Sequence, residues 1–421
     1  MTLRYSGLIA VVMSLILVRG AFSEELNIPP SLNLLVEEAL LNNPRIQAAR
    51  GEWEAAEYKV QQVKAPPNPV VKYAHFGQNI ETRVGPEENI YGISQKIPFP
   101  GKLELQGKTQ FIHSEVLKEK YEAIKRGTIK DVKFVFYDLY WVDRAIQITE
   151  EEKSILESLE NVARKKYETR LAPQQDVIKA QVELSMIIDR LFTLGQNRLS
   201  LLAKLNSILN RSEGRDLGRT GSVELSEFGY TLEELHEMAR VSRQELLAAN
   251  LDVKKAEYEK SLAGLDFYPD VTLGFDYIQI GSGHTAMPND GQDAWLGSVA
   301  VDVPIWFDRL SAQLREKNLA LKASRDNYNE LENSVRYEVS DLFYKIITYR
   351  NIVNLYKTAL IPQTVQSFEA AKTSYETGRV DFLNWLDAER TLLQTRLAYH
   401  KAVIDYQKSI AFLERIVGRD L

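Results

Sequence analysis

Long helical periodicities, interrupted by two pairs of short alternating runs, set the plan of this chain. From Ser31 to about Lys64, the apolar positions Leu34, Leu35, Ala39, Ile46, Ala49, Trp53, Ala56 and Val60 recur at three- and four-residue steps, which predicts a helix. The prolines at 66, 67 and 69 stop it. Residues 70–77 and 89–97 read as two short strands joined by a polar loop that carries Gly85 and Pro86. Helical spacing then runs from Lys102 to Tyr167 without a proline, roughly 100 Å at ~1.5 Å per residue. Gln174 to Leu209 is helical again, and the stretch 210–230 breaks the pattern.

The order then repeats. A helix over Thr231–Leu265 is followed by strands at 270–280 and 294–303, a long helix over Leu310–Tyr375 and a return helix over Phe382–Val417. Ala56-Glu57-Tyr58 matches Ala256-Glu257-Tyr258, Pro69 matches Pro269, Ile97-Pro98 matches Val303-Pro304, and Phe136-Tyr137 matches Phe343-Tyr344. The offset grows only across loops. An ordered series of this kind marks a duplication, with units at 24–209 and 231–421 joined by the connector 210–230.

Each unit turns at a helical tip. The second tip, at about 375–384, reads Tyr375-Glu-Thr-Gly378-Arg379-Val380-Asp381. Gly378 can adopt the left-handed conformation that ends a helix, and Asp381 can accept the free N–H groups that open the next. The first tip, at about 167–176, reads Tyr167-Glu-Thr-Arg170 and reaches Asp176.

The strands carry the membrane question. Val271, Leu273, Phe275 and Tyr277 alternate with Thr272, Gly274 and Asp276, and Val299, Val301 and Val303 alternate with Ser298, Ala300 and Asp302. Runs of about ten residues suit a tilted strand that crosses a bilayer. A half-buried soluble sheet gives the same alternation. Four strands cannot close a barrel, and an open edge is not tolerated in lipid, so spanning requires several copies to share one barrel. Tyr73, Tyr91, Tyr268, Trp295 and Trp306 are candidates for an interfacial belt, or for ordinary packing.

Composition narrows the chemistry. Residues 1–23 read as a secretory signal: Arg4, then an apolar run over Gly7–Val18, then small residues at Ala21 and Ser23. Cysteine is absent, so disulfides, thiolate metal sites and cysteine nucleophiles are excluded. The formal net charge of −6 gives no basic face for nucleic acid. The 5 histidines form no helical ligand pair, so no metal site is expected. No nucleophile elbow, P-loop or dinucleotide fingerprint is present, which argues against an enzyme and against a cofactor.

Taken together, the signal, the duplicated helix–strand–strand–helix unit, Asn43-Pro44, the 65–69 Ala-Pro-Pro-Asn-Pro run, the Gln95–Lys102 junction and Tyr375-x-x-Gly378 followed by Leu386-Asp387-Ala388 resemble the TolC-like outer-membrane efflux proteins. That resemblance implies a mainly α fold with a small β part. Three chains form a homotrimer, each giving four strands to a 12-stranded transmembrane β-barrel in outer-membrane lipid. The helical hairpins form a periplasmic α-barrel. The implied function is a passive exit channel in the outer membrane of a Gram-negative bacterium, serving a periplasmic adaptor and an inner-membrane pump of the RND type. The junction and the proline run look like the branch that serves heavy-metal cation pumps. The competing reading is the periplasmic adaptor itself, which carries one hairpin flanked by small β-domains.

The resemblance also implies a gate at the tips. Tyr375 and Asp176 match a pair whose hydrogen bond holds the channel closed. The family's gate arginine falls at Val380 here, with Arg379 one place earlier. Asn384 and Asp387 match the rings of aspartates that select cations in the pore mouth. A second reading makes Asp176, Asp381 and Asp387 helix-start carboxylates that complement the macrodipole, and for Asp381 it is the better one.

Overall fold

The computed structural model describes residues 31–421. The expected signal at 1–23 lies outside the described residues. Two units of the same order follow one another. The first holds α1 (Leu32–Asn42), α2 (Pro44–Lys64), β1 (Val70–Thr82), β2 (Gly85–Ile97), α3 (Lys102–Glu168) and α4 (Gln174–Ile208). The second holds α5 (Leu232–Ser242), α6 (Gln244–Leu265), β3 (Asp270–Ile280), β4 (Ala294–Asp302), α7 (Phe307–Leu355), α8 (Ile361–Glu376) and α9 (Phe382–Val417).

The first helix expected in each unit is two helices. Asn43 takes an extended conformation and its side chain accepts from the Arg45 N–H at 2.9 Å, while Pro44 occupies the first helical position, where its missing N–H costs nothing. The same side chain donates to the Ile208 carbonyl at 2.8 Å, which ties the break to the end of α4. In the second unit Arg243 stands at the corresponding break, buried and paired with Glu338 at 2.8 Å.

The helix expected over Leu310–Tyr375 is also interrupted, by a π turn at Tyr356–Leu360. Pro362 follows after one residue, Ile361. Proline has no N–H to donate and its ring crowds the carbonyl four residues back, so the backbone widens by one residue, with the Ile361 N–H reaching the Tyr356 carbonyl.

The four strands form one antiparallel sheet in the order β1-β2-β3-β4, which leaves β1 and β4 as open edges within the chain. The first two strands are longer than their apolar runs. The residues read as a loop at 78–88 continue the ladder to a tight turn at Arg83-Val84, closed by Thr82 Oγ1 donating to the Gly85 carbonyl at 2.6 Å. Polar side chains mislead there because the ladder is made by the backbone.

Register sorts the faces. Tyr73, Tyr91, Tyr277 and Trp295 form one row across all four strands, and Val71, Ile93 and Phe275 form the next. Leu273 with Val299, then Ile97, Val271 and Val301, continue the same face. These side chains are largely exposed, with Tyr73 at 63%, Trp295 at 73% and Val299 at 69%. Beyond the aromatic row the face turns polar: Asn89 accepts from the Tyr73 hydroxyl at 3.0 Å and donates to Gln279 at 2.9 Å. The opposite face carries the apolar row Ala74, Ile90, Ile278 and Ala294, then Lys72, Gly92, Asp276 and Leu296, then Val70, Ser94, Gly274 and Ser298, then Lys96, Thr272 and Ala300. It is tightly packed, since a Cβ on Gly92 would stand 2.3 Å from Asp276 Oδ1. At its lower end Lys96 pairs with Asp302 at 2.7 Å and Lys102 with Asp270 at 2.9 Å, which fixes the strands onto the start of α3.

Among the described residues no helix is long and apolar enough to cross a membrane. The helices bury their apolar stripes against one another instead. One cluster joins α1, α3, α4 and α9 around Leu35, Leu139, Leu205 and Ile404; another joins α5, α7 and α9 around Leu235, Ile346 and Leu413. The connector crosses this middle region. Asp143 on α3 accepts from Arg198 at 2.8 Å and from the Thr220 N–H at 2.8 Å, and the Tyr406 hydroxyl donates to the Ser226 carbonyl at 2.7 Å.

Candidate functional site

The two hairpin tips end in the same hydrogen-bonded device. At the first, the Arg170 N–H donates to the Tyr167 carbonyl at 2.9 Å and the Leu171 N–H to the Lys166 carbonyl at 2.7 Å. At the second, the Gly378 N–H donates to the Tyr375 carbonyl at 3.0 Å and the Arg379 N–H to the Ser374 carbonyl at 2.8 Å. Both are Schellman caps, which satisfy carbonyls that the helix leaves free. The left-handed residue is Gly378 (φ +76°) in one and Arg170 (φ +60°) in the other. Asp381 opens α9 by accepting from the Asn384 N–H at 3.0 Å, and Pro173 opens α4.

Between the tips lies an aromatic knot. Tyr375, at the end of α8, is 3% exposed. Its ring centroid stands 5.6 Å from Phe382 and 5.3 Å from Trp385, both buried at the start of α9. Burying aromatic side chains of this size contributes about 2 kcal/mol or more each. Leu156, Leu159, Ile187 and Phe368 complete the cluster from α3, α4 and α8.

Polar contacts cross between the hairpins at the same level. The Tyr375 hydroxyl donates to Asp176 Oδ2 at 3.4 Å. That is long beside the roughly 2.8 Å usual for O–H···O, so the bond is weak as it stands. Burial first, and then the nearby Asp176 carboxylate, push the Tyr375 phenol up to about 12, so it is a donor at neutral pH. Burial raises Asp176 as well, while the Tyr375 hydrogen bond pulls it the other way. Lys166 on α3 donates its ammonium to the Tyr375 main-chain carbonyl and stands 4.3 Å from the centre of the same ring. About two turns further from the tip, Arg390 on α9 pairs with the largely buried Glu183 on α4, and about two turns beyond that Arg396 pairs with Glu151 on α3 at 3.5 Å.

The remaining expected residues face solvent in the single chain. Asn384 and Asp387 are exposed on one side of α9. The Asn384 amide donates to Asp381 at 2.7 Å. Among the described residues the Asp387 carboxylate has no hydrogen-bond or ion-pair partner, and the exposed Arg379 side chain has none either. Glu152 and Glu389 are buried below the tips, each with an unpartnered carboxyl oxygen.

The family model for outer membrane efflux proteins matches residues 35–211 and 235–419, one match to each structural unit. The chain belongs to the outer membrane efflux protein family. A curated relative in the family's metal-resistance group is the cobalt-zinc-cadmium resistance protein CzcC of Cupriavidus metallidurans, 28% identical over 152 residues. That match spans 36% of this chain and 34% of CzcC, about a third of its length. Among solved structures, CusC superposes with a TM-score of 0.80 at 17% identity over 92% of each chain. VceC of Vibrio cholerae gives 0.77 at 17% identity, covering 92% of this chain and 96% of that one. These likenesses give the mainly α fold with four strands expected from the sequence.

Within this efflux-family fold, Tyr375 and Asp176 were legible candidates and the folded chain brings them together. Lys166 was not singled out. A lysine in the last turn of a long helix reads only as a partner for the helix dipole. Its contact with Tyr375 joins two hairpins far apart in sequence.

Proposed function

We propose that this chain is one subunit of a passive exit channel in the outer membrane, not an enzyme, and that it serves a tripartite efflux system. Three copies share one 12-stranded barrel. The α-barrel extends through the periplasm, and the tips meet a periplasmic adaptor and an inner-membrane pump of the RND type. The observation that carries this reading is the sheet: one face holds an exposed band of aromatic and aliphatic side chains, the other holds its lysines, aspartates and small polar residues beside an apolar row, and both edges are open. Such a sheet is stable in lipid only when further copies close it. The adaptor reading does not account for a second hairpin or for this sheet. Membership of a family that includes cobalt-zinc-cadmium resistance proteins favours divalent metal cations as cargo, with selection made by the pump.

In this reading the tips are the gate. Gly378 makes the turn, Tyr375 and Asp176 hold the hairpins together in the closed state, and Arg379 stands ready to pair with a neighbouring copy. Asp387, with Asn384 one turn before it, lines the mouth. Three Asp387 carboxylates around one axis favour cations and admit block by multivalent ones. The test is to purify the protein from outer membranes and record single-channel current in a planar bilayer. Heat-resistant trimers with a small, cation-selective conductance are expected. A monomer that inserts into no bilayer would overturn the proposal.

A further inference from the structure

Resting on the reading of the tips as a gate, we infer that Lys166 is the cation of the closed-state latch, the part expected of an arginine after Gly378. Three contacts converge on Tyr375. Its hydroxyl meets Asp176 on α4, its ring lies 4.3 Å under the Lys166 ammonium, and its main-chain carbonyl accepts a hydrogen bond from that same ammonium. Asp176 and Lys166 both belong to the first hairpin, and Tyr375 belongs to the second. The two helices of the first hairpin therefore grip one residue of the second from two sides.

Electrostatics explains why a cation is needed there. α3 and α8 end side by side, and the last turn of each presents partly free carbonyls at the negative pole of its helix. Asp176 adds a carboxylate on α4 and Asp381 another at the head of α9. Glu168 on α3 and Glu376 on α8 lie on the exposed outer side. Of the nearby cations, Lys165 and Arg379 are exposed, and Lys179 acts on the Asp176 carboxylate through space; among the described residues neither these nor Lys372 touches the Tyr375 ring or carbonyl as Lys166 does. Lys166 is half-buried and turned inward onto Tyr375. An ammonium suits the place, because a compact point charge satisfies a carbonyl and a ring face together. Splaying the hairpins strips Lys166 of both contacts in the same motion that breaks the Tyr375–Asp176 bond. Lys166 is thus a positioning residue for the gate, holding Tyr375 where its hydroxyl reaches Asp176.

The absence of cysteine permits a clean test. Lys166→Cys is prepared as the assembled trimer and recorded in a planar bilayer beside the wild type, Lys166→Arg and Tyr375→Phe. Lys166→Cys is expected to raise the open probability about tenfold, and Lys166→Arg by less than about twofold, as a charge-dependent contact of ordinary strength requires. Aminoethylation of the new thiol restores an amine at nearly the native length and is expected to reclose the channel. Carbamidomethylation adds neutral bulk and is expected to leave it open. Reclosure by both reagents, or by neither, overturns the assignment. If Tyr375→Phe opens the channel and Lys166→Cys does not, the gate stands and Lys166 has no part in it. If neither opens it, the gate reading falls, and this inference with it. Should Lys166→Cys fail to assemble, Lys166→Met in reconstituted trimers reads the same loss of charge, with a wild-type open probability as the overturning result.

Discussion

The Tyr375 hydroxyl meets the Asp176 carboxylate at 3.4 Å across two hairpins, joining residues 199 positions apart in sequence. A bond of that length is easily tightened or lost, which suits the closed-state contact proposed for it. Tyr375→Phe removes the hydroxyl and keeps the ring in its knot with Phe382 and Trp385. A loss of about 1 kcal/mol from the closed state is expected, roughly a fivefold rise in open probability. Asp176→Ala should match it, and the double substitution should add little, because both remove one bond. Single-channel recording of the three variants checks this. The pH dependence has a definite sign. The folded value of Tyr375 lies above the ordinary phenol value of 10, so its contribution is whole below pH 10 and lost as pH rises through about 12. Between pH 6 and 9 this group should leave the conductance flat.

Burial has pushed Glu152 up to about 7 from an ordinary 4.5, against the opposing pull of Arg396 and Arg190. It sits on the same face of α3 as Ile148 and Leu156 and is 3% exposed. Between those two values the folded chain holds a proton that the unfolded chain releases. The stabilising contribution is therefore full below pH 4.5 and falls as pH rises through about 7. The loss is on the order of 3 kcal/mol. Glu152→Gln should flatten this dependence and stabilise the tip region at pH 8. Hydrogen exchange of α3 amides near 152 at pH 5 and pH 8, in both proteins, reads it directly.

The two tips differ at one left-handed residue. Gly378 has open space around its α-carbon, so Gly378→Ala creates no clash and reports backbone strain alone, about 1 kcal/mol of destabilisation. Arg170 already bears that strain, and Arg170→Gly should stabilise its tip by about 0.5 kcal/mol, part of the gain being lost to the freer unfolded chain. Exchange rates of the Arg379 and Leu171 amides, each bonded within its own cap, give both numbers.

These cases mark what a sequence can and cannot carry. The hairpins were legible because proline and glycine punctuate them: the prolines at 66, 67 and 69, Pro98 and Gly378 each stop an element for a local steric reason. The repeat made the second unit a check on the first. Arg170 escaped notice as a left-handed residue because its side chain gives no hint of it; only its match to Gly378 does. The π turn escaped because Pro362 sits inside a strong helical period, and its cost is absorbed by widening instead of breaking. Tyr375 and Asp176 came from resemblance. Lys166 could come from neither, since its role depends on which helix ends meet in three dimensions.

Asp387 tests the pore mouth separately from the gate. Its carboxylate is exposed and unpaired among the described residues, so Asp387→Asn should leave folding intact. In the proposed trimer, removing three like charges around one axis should lower cation over anion selectivity several-fold, each carboxylate contributing up to about 1 kcal/mol at close range in water. Asn384→Asp adds a second ring one turn away and should raise selectivity by a similar factor. Reversal potentials in a salt gradient measure both. Unchanged selectivity in each would place Asp387 among the helix-start carboxylates.

The sheet makes the last prediction, because its faces differ in what a charge costs. Val299 lies on the apolar face of β4 and Ala300, the next residue, on the polar one. In the proposed barrel Val299→Lys puts an ammonium against hydrocarbon, at about 2–4 kcal/mol per chain near the bilayer midplane. Ala300→Lys points the same group toward the row that already holds Lys96 and Thr272, facing water inside the barrel. Val299→Lys should lower the temperature at which the trimer dissociates on a gel, and Ala300→Lys should change it little. The order of the two decides which face meets lipid. If Ala300→Lys is the more damaging, the sheet is turned the other way and the barrel cannot be the one described.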